Sequence, residues 1–217
     1  MSFIYISSKI VLYVFFKVFH RLHVIGSENV PKKGGVIVAA NHVSYLDPPV
    51  IGAALKRRPT YIAMHKFFKI PLLGRYISSF SLPVNQSSPQ PSLIKEAVKR
   101  LRNGELIVIF PEGGRSTHRK LLDAKRGIGM IAALSSAPVV PALIKGTEKA
   151  LPVGAKFLRP SKIEVIFGNP IEIEHTETDK HFQERISRDI METIKNLNSE
   201  ELKVKSKIKT IIVQKYS

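Results

Sequence analysis

His42 and Asp47 stand five residues apart in the segment Asn41-His42-Val43-Ser44-Tyr45-Leu46-Asp47, and a second polar segment, Phe110-Pro111-Glu112-Gly113-Gly114-Arg115-Ser116, follows much later. An imidazole can act as a general base near neutral pH. A carboxylate beside it fixes its tautomer and stabilises the imidazolium once formed. A bent loop or helix entry would bring His42 and Asp47 within hydrogen-bond reach. The same residues admit a purely structural reading. Asp47 before Pro48 is a good helix cap, and Ser44-x-x-Asp47 loosely matches a capping box. In the second segment, Gly113-Gly114 permits a tight turn whose amides can form an anion nest. Arg115 adds a forked donor matched to phosphate. Glu112 repels phosphate; its carboxylate is suited either to a hydrogen bond from a substrate hydroxyl or to holding Arg115. Ser116 reads as a polar ligand or a cap, because no nucleophile-elbow pattern surrounds it. Lys125 and Arg126 precede a helix at Gly127. They either reinforce its anion-attracting end or stay solvated at the surface. Together these residues describe a site that deprotonates a hydroxyl and holds a phosphate.

Both segments follow apolar runs of buried-strand type, Val36–Ala40 and Leu106–Phe110. Further strands are expected at His23–Ile25, Thr60–Met64, Ser81–Val84, Pro138–Ile144 and Ile163–Phe167. Helices are expected over Phe3–Leu22, from Pro48 to about Lys56, and over Ser92–Arg102, Gly127–Ser136 and His181–Leu197. Asn103-Gly104 ends the third of these. Strands alternating with helices predict an α/β fold, a mostly parallel or mixed central sheet flanked by helices. Ligands of such sheets sit beyond the carboxyl ends of strands, and His42 and Glu112 both fall there. The region from Lys66 to Tyr76 mixes apolar and basic residues. It fits an acyl groove or lipid contact as well as an ordinary core-facing helix.

The chain has 217 residues, 44% of them hydrophobic, enough for one sizeable core. Its formal net charge of +17 draws anions, whether nucleic acid, acidic proteins, anionic headgroups or phosphorylated substrates. No cysteine is present, which excludes disulfides, cysteine-ligated zinc and a thiol nucleophile. At helical spacing Ile4, Val11, Phe15, Val18 and Leu22 share one face, with Ser7, Lys9, Lys17, His20 and Arg21 largely opposite. That is the pattern of a basic amphipathic helix lying in a membrane interface, or of a helix packed on the protein's own core. The division expected is residues 1–22 as a membrane-associating helix, 23–198 as one domain and 199–217 as a basic tail.

Asn41-His42-x-Ser44-x-x-Asp47 followed by Phe110-Pro111-Glu112-Gly113-Gly114-Arg115-Ser116 resembles the glycerolipid acyltransferase family, in particular the 1-acyl-glycerol-3-phosphate (lysophosphatidate) acyltransferases. Val140-Pro141-Ala142-Leu143 is similar to the family's last block, and the likeness runs roughly from Val24 to Pro170. The resemblance implies acyl transfer from a thioester to lysophosphatidate, giving phosphatidate. It makes His42, oriented by Asp47, the base. Glu112, Gly113, Gly114 and Arg115 then belong to the glycerol-phosphate block, with Asn41, Ser44, Ser116 and Lys125 as further substrate contacts. Acyl-CoA or an acidic acyl carrier protein would be the donor, with no resident cofactor or metal. The partner would be a membrane lipid surface, in monotopic contact on the cytoplasmic face.

Two departures bear on the acceptor. Gln86 stands where the family's second block has a phosphate-binding arginine, for which Arg75, Lys125 or Arg126 could substitute. Gly114 replaces a common threonine, as in glycerol-3-phosphate acyltransferases, so glycerol 3-phosphate or another lysolipid is an alternative acceptor. Three other readings compete. A thioesterase would use His42 to activate water. A non-catalytic membrane protein would keep only the fold. A nucleic-acid binder would need a stacking basic face or reader motif, and none is found.

Overall fold

The apolar runs become the strands of one seven-stranded sheet, and the amphipathic runs become its covering helices. The computed structural model describes residues 3–85, 90–116, 122–173 and 179–215, with side chains described from residue 4 to residue 197. Gln86 lies outside the described residues. In chain order the elements are α1 (Phe3–Phe19), β1 (His23–Ile25), a 3-10 turn (Ser27–Asn29), β2 (Val36–Ala40), α2 (Asp47–Ala54) and β3 (Pro59–Met64). Next come α3 (His65–Phe68), α4 (Leu73–Ile77), β4 (Ser81–Val84), α5 (Pro91–Arg102) and β5 (Leu106–Ile109). The last are α6 (Gly127–Ser135), β6 (Val139–Lys145), α7 (Thr147–Ala150), β7 (Glu164–Phe167) and α8 (Lys180–Lys215).

The strand order is β1-β7-β6-β2-β5-β3-β4. Neighbours run parallel except β6 and β7, so β1 and β7 oppose the other strands. Alternation along β2 shows why the sheet must be covered twice. Val36, Val38 and Ala40 join one core with residues of α1 and α2, while Ile37 and Ala39 join a second core with α5, α6 and α8.

Two expectations need correction. The first concerns α1. Two of its polar side chains turn inward: Ser8 bonds the Tyr76 hydroxyl, and the Lys9 amine donates to the Leu55 carbonyl just past α2, while Lys17 stays exposed. Tyr5 and Phe16 are buried with them, whereas Ile4, Ile10, Val11, Val14 and Val18 are exposed. The helix packs on the core and still presents an apolar outer face. Among the described residues, no helix is long and apolar enough to cross a membrane. The backbone of α8 stays helical through 199–215, the stretch expected as a basic tail. The second correction concerns Asp47. It does not cap α2 forward, because its carboxylate turns back on the preceding loop.

Candidate active site

Strands β2 and β5 are parallel neighbours, with Ala39 opposite Ile109. Both motif segments therefore leave the sheet side by side at its carboxyl edge, as the strand endings imply. His42 Nδ1 lies 2.8 Å from Asp47 Oδ2. The same carboxylate oxygen accepts the Val43 amide at 2.7 Å and the Ser44 amide at 2.8 Å. Asp47 is fully buried, while the His42 side chain keeps 14% exposure. The imidazole also stacks on Phe110, with ring centroids 4.4 Å apart and planes 26° from parallel. With Nδ1 engaged, Nε2 is the nitrogen left for a substrate.

Three residues expected at the substrate are turned into the protein instead. Asn41 makes a two-point clamp on Ile144 of β6, donating to its carbonyl at 3.0 Å and accepting its amide at 2.7 Å. The Ser44 hydroxyl donates to the Leu151 carbonyl at 2.9 Å and is fully buried. Glu112 does not hold Arg115 in the contacts described. Its Oε1 accepts the His42 amide at 2.7 Å and its Oε2 accepts the Leu122 amide at 2.9 Å. The physical reason is the same in each case. A loop leaving a parallel strand strands its backbone N–H and C=O groups, and short polar side chains satisfy them. Ser116 is buried too, and its amide donates to the His42 carbonyl at 2.9 Å. The backbone of His42 is thus held on both sides by the second motif.

Arg115 and Lys125 are placed otherwise. The Arg115 guanidinium lies 3.5 Å above the Tyr45 ring, a cation–π contact that aims it at the His42 loop. Gly113 has φ +66, and a Cβ there would lie 2.7 Å from Lys125 Cδ and Cε and 3.0 Å from its Nζ. The positive φ of the turn favours glycine, and the flexible end of the Lys125 side chain packs directly over it. His42, Gly113, Gly114, Arg115 and Lys125 all line one cavity of about 990 Å³, with Gly127 and Ile128 at the start of α6. Of the three cations considered as replacements at the phosphate, Lys125 lines this cavity and Arg75 and Arg126 do not. The cavity runs inward between α1, α2, β3 and α4, past Gly52, Ala53, Tyr61, Tyr76 and Phe80. It is deep and mainly apolar; His42, Arg115 and Lys125 lie together at one end, while Lys9 of α1 and Lys66 of α3 also line it. Phe67 and Leu73 also line it, so the Lys66–Tyr76 region does form part of a groove wall. Sequence reading gave Phe110 and Tyr45 no role. Their place inside the two motifs was the only signal.

Burial pushes the Glu112 carboxyl up, against its two amide hydrogen bonds and the nearby His42. The folded protein therefore binds this proton more tightly than the unfolded chain does. Its contribution to stability is full below the ordinary glutamate range and is lost as pH rises through the folded value. Glu112→Gln keeps one acceptor, points an amide donor at the other backbone N–H, and cannot titrate. It should cost about 1–3 kcal/mol in chemical denaturation. The gap between native and variant should narrow as pH climbs above the usual glutamate range. A gap independent of pH would show that the carboxyl is not shifted upward.

A family model described as Acyltransferase matches residues 21–145. The chain is 31% identical over 150 residues to the 1-acyl-sn-glycerol-3-phosphate acyltransferase of Bacillus subtilis (strain 168), covering 68% of this chain and 72% of that one. It is 30% identical over 158 residues to the chloroplastic 1-acyl-sn-glycerol-3-phosphate acyltransferase LPAT1 of Arabidopsis thaliana, covering 70% of this chain and 44% of the longer plant protein. The crystal structure of the 1-acyl-sn-glycerophosphate (LPA) acyltransferase PlsC from Thermotoga maritima superposes with a TM-score of 0.69 at 29% identity, over 94% of this chain and 84% of that one.

Proposed function

Because this chain belongs to the acyltransferase family, we propose that it transfers a fatty acyl group from an acyl thioester to the sn-2 hydroxyl of lysophosphatidate, giving phosphatidate for phospholipid synthesis. One observation carries the reading. The His42–Asp47 pair and two cations, Arg115 and Lys125, meet at one end of a long apolar cavity. Such a site suits an amphiphile with a phosphate at one end and a hydrocarbon chain at the other.

The chemistry follows from these groups. His42 Nε2 takes the hydroxyl proton as the oxygen attacks the thioester carbonyl carbon. Asp47 on Nδ1 stabilises the imidazolium that results. The tetrahedral intermediate collapses, the C–S bond breaks, and the thiolate leaves with the proton returned by His42. The products are ester and thiol, with no acyl-enzyme intermediate. Arg115 and Lys125 hold the acceptor phosphate; the Gly113 amide, expected in an anion nest, instead donates to the Phe110 carbonyl at 3.0 Å. The apolar depth beyond Gly52 receives acyl chain. The exposed apolar face of α1 lies on a membrane, in monotopic contact on the cytoplasmic side, with 23–198 as the acyltransferase domain. Acyl-CoA and acidic acyl carrier protein both suit the positive field as donors.

The test is a lipid-product assay with labelled acyl thioester and a panel of glycerol 3-phosphate, lysophosphatidate and lysolipids lacking a terminal phosphate. Lysophosphatidate should be the preferred acceptor and phosphatidate the product. Arg115→Ala should raise the acceptor KM by about 10- to 100-fold, the loss of one charge-assisted phosphate contact, with donor KM little changed. Thioester consumption indifferent to any acceptor would identify a thioesterase instead. Acceptor KM untouched by Arg115→Ala would remove that residue from the phosphate site.

A further inference from the structure

Exposed large apolar side chains are unevenly distributed over this molecule. Among the described residues they are confined to α1, the α3–α4 hairpin, Tyr45, Leu122, and one loop that no part of the reaction uses. That loop runs from Leu151 to Lys162, between α7 and β7. Phe157 is 82% exposed at its tip, with Val153 and Leu158 also exposed. Lys149, Lys156 and Arg159 are exposed around them, and no acidic residue occurs between Lys149 and Ile163.

The loop is built to hold this surface outward. The Ala155 amide donates to the Pro152 carbonyl at 3.0 Å, and the Arg159 amide to the Ala150 carbonyl at 2.8 Å. The Ser161 hydroxyl donates to the Gly146 carbonyl at 3.2 Å. Its two ends are fixed to the two elements that matter most. At the start, the Leu151 carbonyl accepts the Ser44 hydroxyl of the His42 segment. At the end, the Ile163 amide donates to the carbonyl of His20, just past α1. The exposed Val18 and Phe19 close α1 at that same end.

We propose that the 151–162 loop is a second bilayer anchor, its Phe157–Leu158 tip entering the interface and its cations meeting anionic headgroups. An apolar tip ringed by cations, without acids, is complementary to an anionic lipid surface. A single helix lying on a membrane is free to roll about its own axis. A second contact off that axis fixes the roll, and the loop's tie to Ser44 makes the fixed direction that of the cavity mouth. The inference rests on the membrane reading of α1.

The chain contains no tryptophan, so Phe157→Trp installs a single tryptophan reporter in the 217-residue chain. Val18→Trp, made separately, reports on α1. With vesicles of equimolar phosphatidylcholine and phosphatidylglycerol, Phe157→Trp emission should shift to the blue and be quenched by brominated acyl chains. The double variant Phe157→Ser/Leu158→Ser should weaken vesicle partition by about tenfold or more. Turnover of vesicle-borne lysophosphatidate should fall with it, while turnover of a short-chain, monomeric lysophosphatidate is retained. A silent Phe157→Trp beside a responsive Val18→Trp would overturn the second anchor and leave the α1 reading standing. Silence of both, without cosedimentation, would overturn both. A Phe157→Trp response to acyl carrier protein but not to vesicles would also overturn the proposal, assigning the loop to donor docking.

Discussion

His42→Ala should lower turnover of acyl thioester and lysophosphatidate by about 100- to 10,000-fold, or ~3–5 kcal/mol of barrier, with folding almost unchanged. The separation of the two effects comes from how His42 is held. Its structural duties belong to its backbone: the amide donates to Glu112 and the carbonyl accepts the Ser116 amide. Alanine keeps both. The side chain gives up only a partly exposed ring stacked on Phe110 and one hydrogen bond to Asp47. Circular dichroism and thermal melting should therefore match the native protein while product formation falls to what positioning alone provides. A folded variant within tenfold of native activity would mean that another group takes the proton.

Much of this was legible because local patterns and tertiary demands agree. The runs Val36–Ala40 and Leu106–Ile109 are buried on both faces and became central parallel strands. A parallel sheet then fixes where their ends go, so His42 and Glu112 could be placed at one edge from strand assignment alone. What sequence could not give is which polar atoms a loop keeps for itself. Asn41, Ser44 and Glu112 have the chemistry of substrate ligands. Whether they reach a substrate depends on the stranded amides of Ile144, Leu122 and His42 and on the carbonyl of Leu151, and those appear only when distant segments are brought together. On α1, Ile4, Val11 and Val18 share the exposed apolar face that their spacing implied, whereas Ser8 and Lys9 point inward because Tyr76 and the carbonyl of Leu55 await them. Short α3, α4 and α7 carry too few turns to show a period at all.

Asp47 offers the sharpest contrast, since its two substitutions should fail in different ways. A single oxygen, Oδ2, accepts the His42 ring nitrogen and the amides of Val43 and Ser44, while Oδ1 is buried with no hydrogen-bond partner. Asparagine can place its oxygen where Oδ2 lies and keep both amides satisfied. Its NH2 then occupies the unpartnered Oδ1 position, at a cost of about 1–2 kcal/mol for one buried donor. The loop should survive, but the charge that stabilises the imidazolium is gone. Turnover should drop by roughly 1,000- to 10,000-fold with little change in the KM of either substrate. Alanine removes the acceptor altogether and leaves two loop amides unpaired. It should add about 2–4 kcal/mol of destabilisation, read as a lower denaturation midpoint, to a similar loss of turnover. The pair thus distinguishes a catalytic carboxylate from a loop staple. If Asp47→Asn kept activity within tenfold of native while Asp47→Ala unfolded readily, the carboxylate would serve only to fold the loop, and His42 would act without a charged partner.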